Sequence, residues 1–124
     1  MKLDQIGQIA INAKDVARAT AFYKDVLGLS FLFGAGPNLS FFDCGGVRLM
    51  ITRAEKPEFD HPASIVYYKV TDIEASYAEL GAKGVKFEDT PHLVAPMLDH
   101  DLWMTGFMDS EGNYLVLMCE KKKA

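Results

Sequence analysis

Residues 9–29 read IAINAKDVARATAFYKDVLGL, and this stretch decides the fold. Ile9, Ile11 and Ala13 alternate with Ala10 and Asn12, the period of a strand with one covered face. Asp15 stands where a helix N-cap belongs, its carboxylate able to accept from a free N–H of the first turn. Val16, Ala19, Ala21, Phe22, Tyr23, Val26 and Leu27 then recur at helical spacing. Gly28 follows as a stop, free to take a left-handed conformation. The stretch reads strand, turn, helix, end.

The same unit occurs again downstream. Residues 66–73, VYYKVTDI, match residues 9–16, IAINAKDV, with Asp72 in the place of Asp15 at an offset of 57. Ile73, Tyr77 and Leu80 form the buried stripe of the second helix, and Gly84 closes it. A hairpin repeats too: residues 43–50, DCGGVRLM, match residues 109–116, DSEGNYLV, at an offset of 66. Between helix and last hairpin the second copy therefore carries nine extra residues. Such internal repetition sets the architecture before any local reading does.

Taken in order, residues 5–13 form a strand, 15–27 a helix, and 29–33, 39–43 and 47–52 three further strands, with Gly45 and Gly46 in the last turn. Residues 53–63, RAEKPEFDHPA, are polar and contain two prolines, as a linker would. The second copy predicts strands at 65–70, 85–88, 102–108 and 114–119 and a helix at 73–83, with a loop at 90–101. The fold class is α+β: two βαβββ repeats, 5–53 and 64–119 with linker 54–63, forming one domain over 1–124. A unit of this kind cannot bury its sheet alone: one face takes the helix and the other must meet the second copy or another chain. Two such sheets are expected to curl into an open half-barrel with a central cavity, a natural ligand site.

Composition narrows the function. The 124 residues are 49% hydrophobic, ample for a core, and the net charge of −4 offers no basic stripe for a nucleic acid. Lys121, Lys122 and Lys123 read as a solvated end. The start, MKLDQIGQ, lacks the pattern of a signal peptide and no apolar run reaches membrane-spanning length, so a cytoplasmic location is expected. Cys44 and Cys119 show no metal-type spacing and read as reduced thiols.

These motifs together resemble the vicinal oxygen chelate superfamily, the glyoxalase/bleomycin resistance/dioxygenase family. The resemblance rests on residues 9–29, on Val70-Thr71-Asp72-Ile73 with Tyr77, Leu80, Gly84 and Val85, and on residues 106–116, GFMDSEGNYLV. That last run is similar to the family's F-x-D-P-D/E-G-N hairpin, with Ser110 where proline is usual. In the family's enzymes a divalent metal is held by residues on the first and last strand of each unit. Here those positions fall on Gln8, Met50, Ile65 and Val116. Ile65 and Val116 carry no donor atom, and a methionine thioether suits hard divalent metals poorly. Catalytic sites usually need three protein ligands, so neither the metal nor any other cofactor is expected.

The resemblance then implies metal-independent binding of a small, largely apolar or aromatic molecule, as in bleomycin-type sequestration. The expected ligand-binding residues are Gln8, Arg48, Met50, Ile65, Trp103 and Val116. Arg48 shares the Met50 face of its strand and can pair with an acidic ligand. Phe41, Tyr67, Phe107 and Tyr114 are further aromatic candidates, with packing as their ordinary role. The alternative is a lyase, isomerase or dioxygenase that uses the inserted loop. His92 and His100 are the candidate catalytic residues, with Asp99 or Asp101 orienting His100. A homodimer is expected, with no nucleic-acid or membrane partner.

Overall fold

The computed structural model describes residues 1–123. The chain divides into two compact units, Met1–Ser64 and the part from Ile65 onward. Each is a four-stranded sheet with one helix, so the α+β class and the repeated βαβββ organisation are what the structure shows.

The first unit contains β1 (Gln8–Asn12), α1 (Val16–Ala21), β2 (Ser30–Gly34), β3 (Leu39–Cys44) and β4 (Val47–Thr52). The sheet order is β1-β4-β3-β2, with β1 parallel to β4 and the other pairs antiparallel. Asp15 caps α1 as its position predicts, accepting from the Arg18 N–H at 3.0 Å. Beyond Ala21 the helix widens into a single π-turn, Phe22–Val26, in which the Leu27 N–H donates to the Phe22 carbonyl. Gly28 ends the segment at φ 74°, a conformation only glycine takes without strain. The core lies between helix and sheet: Ile11, Val16, Ala19, Tyr23, Phe42, Leu49 and Ile51 are all buried. A polar bond spans this layer, between the hydroxyls of Thr20 and Ser40 at 2.8 Å.

The second unit contains β5 (Val66–Lys69), α2 (Ile73–Ala82), β6 (His92–Pro96), β7 (His100–Met108) and β8 (Tyr114–Lys122), in the order β5-β8-β7-β6. Asp72 repeats the cap, accepting from the Ala75 N–H at 3.0 Å. Ile73, Leu80, Phe107, Leu115, Leu117 and Cys119 form the core beneath α2. Asp109 is buried and organises the β7–β8 turn. Its carboxylate accepts from the backbone N–H groups of Glu111 and Asn113, each at 2.8 Å, and from the Asn113 side chain at 2.9 Å. Among the described residues no helix is long and apolar enough to cross a membrane.

Two local expectations are corrected. Residues 85–88 do not form a strand; they contribute one isolated bridge, Phe87 to Phe107. The inserted residues 90–101 are not a loop but supply β6 and the start of β7. The β2–β3 and β6–β7 pairs carry the same irregularity, after Phe31 and after Leu93. This aligns β2 with β6 at an offset of 62. Five of the nine extra residues thus precede β6 and four follow it, and β7 and β8 run to nine residues where β3 and β4 have six. The apolar anchors Leu93 and Val94 drive this outcome: they favour an extended edge strand, where Pro96 is tolerated because it needs no ladder donor.

The far end of this longer hairpin is held by charge. Glu120 accepts from Lys69 at 2.8 Å and lies 3.4 Å from His100 Nε2, while His100 Nδ1 lies 2.7 Å from Asp99. Lys121 pairs with Glu74 of α2. Lys69 holds the Glu120 carboxyl below its usual range, and His100 does the same for Asp99. A depressed carboxylate contributes stability above its unfolded pKa, about 4.3 for glutamate, and loses it as pH falls through the folded value. The melting temperature should therefore drop below about pH 4, more steeply in the parent than in Glu120→Gln. Parallel thermal melts check this, and identical acid slopes would refute it.

Near the other end, a side chain built on Gly106 would place Cβ 1.8 Å from the Tyr114 hydroxyl oxygen and 2.4 Å from Cζ. Gly106→Ala should cost about 1–3 kcal/mol by overpacking. Tyr114→Ala in the same chain should remove most of that cost in a double-mutant cycle read by urea melts. A Gly106→Ala penalty unchanged by Tyr114→Ala would show that the tyrosine is not the obstacle.

Candidate functional site

Strand alternation divides each sheet into a face under its helix and a face away from it. In the first unit, Ile11, Phe42, Leu49 and Ile51 occupy the helix face. On the other face the parallel register aligns Gln8 with Arg48, Ala10 with Met50, and Asn12 with Thr52. Strand β3 adds Leu39 opposite Thr52, Phe41 opposite Met50 and Asp43 opposite Arg48. This second face is half polar and half apolar, and it is not sealed by α1.

The linker covers part of it. Residues 53–64 turn back over β1 and β4 through a short 3-10 segment, Pro57–Phe59. The Asn12 side-chain amide fastens that return, donating to the carbonyl oxygens of Phe59 at 2.7 Å and His61 at 2.6 Å. Between linker and sheet lies a cleft of about 450 Å³. Ala10, Leu39 and Met50 form its floor; Phe59, His61 and Ala63 form the covering wall, and Arg53 and Glu55 are at its border. This volume falls within the ~300–1,000 Å³ typical of small-molecule sites.

At the β1 end of the face, three of the sequence-predicted residues come together. Arg48 Nε donates to the Gln8 side-chain oxygen at 2.8 Å, and the Gln8 amide nitrogen lies 3.5 Å from the Met50 sulfur. The Arg48 guanidinium lies over the Phe41 ring, 5.4 Å from its centroid, and Phe41 in turn packs on Phe33 at 4.7 Å. This chemistry does not fit a divalent metal. The only hard donor among the four family positions, the Gln8 oxygen, already accepts from a cation. Among the described residues no group of three or more His, Cys, Asp or Glu side chains is arranged to hold a metal ion.

The remaining predicted residues belong to the second unit. Val116 is buried opposite Tyr67 and Gly106, on the face away from α2. Ile65 immediately precedes β5 and is exposed. Trp103 lies opposite Cys119, with Lys121 Nζ 3.9 Å from its ring centroid, on the α2 side of the sheet. Trp103 and Val116 therefore occupy opposite faces of one sheet, and no single cleft on that sheet takes both. Phe107 is fully buried under α2. Tyr114 lies on the Val116 face, its hydroxyl pushed up in pKa by burial and by the charges of Asp89 and Glu88.

The two histidines stand on strands rather than on a loop, and they are not together. His92 on β6 is opposite Met104, four residues along β7 from His100, a separation of about 13 Å at ordinary strand rise. His92 Nδ1 lies 2.8 Å from the Thr90 carbonyl and 3.8 Å from Asp89. His100 is held by Asp99 and Glu120 instead. Asp101 does not orient it; that carboxylate faces Lys123 at 3.5 Å.

Sequence reasoning missed the linker's part in the site. Asn12, Phe59 and His61 were legible only in part. A phenylalanine inside an otherwise polar linker and an asparagine at an outward strand position were the available signals, but neither shows where the linker folds back.

The family model of the Glyoxalase/Bleomycin resistance protein/Dioxygenase superfamily matches residues 5–117. The chain is 30% identical over 98 residues to the uncharacterized protein YraH of Bacillus subtilis (strain 168), covering 68% of this chain and 77% of that one. Among solved structures it is similar to lactoylglutathione lyase from Agrobacterium tumefaciens, with a TM-score of 0.75 and 22% identity over 95% of each chain. It is also similar to TnmS3, an antibiotic binding protein from Streptomyces sp. CB03234, with a TM-score of 0.73 and 18% identity over 99% of each chain. At these identities the structural likeness establishes the fold, and the fold hosts more than one chemistry. With two βαβββ units and a family match over nearly its whole length, this chain belongs to the Glyoxalase/Bleomycin resistance protein/Dioxygenase superfamily.

Proposed function

We propose that this protein binds a small, largely apolar or aromatic molecule without a metal ion, in the cleft between the helix-free face of the first sheet and the linker. The observation that carries this reading is the cleft itself: about 450 Å³, floored by Ala10, Leu39 and Met50 and walled by Phe59. Apolar walls with a few polar groups at the border are what a small organic ligand needs. The donor chemistry argues the same way, since Gln8 is committed to Arg48 and Met50. TnmS3, described as an antibiotic binding protein, offers a precedent for binding in this fold. The lyase, isomerase or dioxygenase reading would need His92 and His100 to act on one molecule, and their separation of about 13 Å argues against it.

Neutral aromatic probes test the reading. A ligand that binds only the folded chain and is present at about a hundred times its Kd should raise the melting temperature by roughly 5–10 °C. 3-(2-Naphthyl)propionamide is a suitable first probe. The rise should persist in excess EDTA. It should vanish in Ala10→Trp, which fills the cleft from an exposed strand position and leaves the helix-side core untouched. Binding that EDTA abolishes would refute metal independence, and binding that survives Ala10→Trp would move the site elsewhere.

A further inference from the structure

The charge at the end of the cleft specifies the ligand further. Arg48 is exposed, yet it is held in place. Its Nε is fixed on Gln8 and its plane lies over Phe41. Both terminal nitrogens of the guanidinium are left over, and among the described residues no carboxylate pairs with them. Asp43, opposite Arg48 across the β3–β4 pair, makes no ion pair with it. The group that holds Nε is a neutral amide, so the cation keeps its full charge. A glutamate at that position would make the same bond and cancel it. A guanidinium already fixed by one bond and one ring loses little freedom on taking a planar oxyanion with its remaining fork.

Arg48 and Met50 are two residues apart on one face of β4, a backbone spacing of about 7 Å. Met50 floors the cleft, while Arg48, two residues earlier on β4 and level with Gln8, stands just outside it. We propose that the molecule bound here is an aromatic or apolar carboxylic acid, with its carboxylate on the Arg48 fork and its apolar body over Met50. This rests on the small-molecule reading above and names the ligand class for that same cleft.

The test compares 3-(2-naphthyl)propionate with its neutral amide by isothermal titration on the full chain. The acid should bind at least about tenfold more tightly than the amide, a difference near 1.4 kcal/mol. In Arg48→Gln that preference should disappear while the amide still binds. Gln8→Glu keeps Arg48 and the shape of the face but neutralises the cation, and it too should abolish the preference. It serves as the second reading should Arg48→Gln fold poorly. Equal binding of acid and amide to the parent would overturn the carboxylate inference and leave the small-molecule reading standing. Failure of both probes to bind would overturn both. A preference that survives both variants would place the anion on another cation. Sedimentation of each variant closes the remaining alternative: a shift in oligomeric state would mean that Arg48 holds a carboxylate of a second copy of the chain, and the inference would fall.

Discussion

The two-residue period of β1 and β4 is the constraint on which the first unit depends. Because side chains alternate, one set of positions serves the core and the other forms the helix-free face, with no freedom to exchange them. Ile11, Leu49 and Ile51 lock the sheet under α1, and that burial fixes the register. Once the register is fixed, Gln8, Arg48 and Met50 must share the opposite face. A slip of one residue would bury Arg48 and expose Leu49, so the hydrophobic core itself holds the geometry of that face in place.

On the other face the family's ligand positions are occupied by residues that bond to one another. The Gln8 oxygen accepts from Arg48, the Gln8 nitrogen approaches the Met50 sulfur, and the guanidinium rests on Phe41. Each contact is modest alone, but together they orient a long, flexible side chain at the surface. Holding Arg48 with an amide rather than a carboxylate retains a positive charge on a protein whose net charge is −4. The linker supplies the missing wall of the cleft, and the Asn12 amide is what ties it down.

The second unit repeats the plan but spends its face differently. Tyr114 lies over Gly106, Val116 is covered, and Glu120, His100 and Lys69 form an ionic row near the end of the sheet. The extra residues lengthen β7 and β8 and insert before β6, so the histidines they carry are spread along strands. A pair of histidines close in sequence is thereby separated in space, because an extended chain travels about 3.3 Å per residue.

The amino-acid sequence alone determined the repeat, both helix caps, the hairpins and the division of β4 into core and outward positions. Those features are local: they follow from the period of side chains, from Asp15 and Asp72 at the caps, and from glycine at positive φ. The resemblance of residues 9–29 and 106–116 to a known family also named the fold correctly. Three things required the tertiary structure. Residues 90–101 read as a loop because their β propensity is spent at a sheet edge, and pairing there depends on β7 being in place. Trp103 fell on the face opposite Val116 because its side is set by register with β8, which spacing alone does not give. The return of residues 53–64 over Asn12 depends on side-chain-to-backbone bonds between residues nearly fifty positions apart. No local pattern encodes such contacts, because they form only after the sheet exists to receive them.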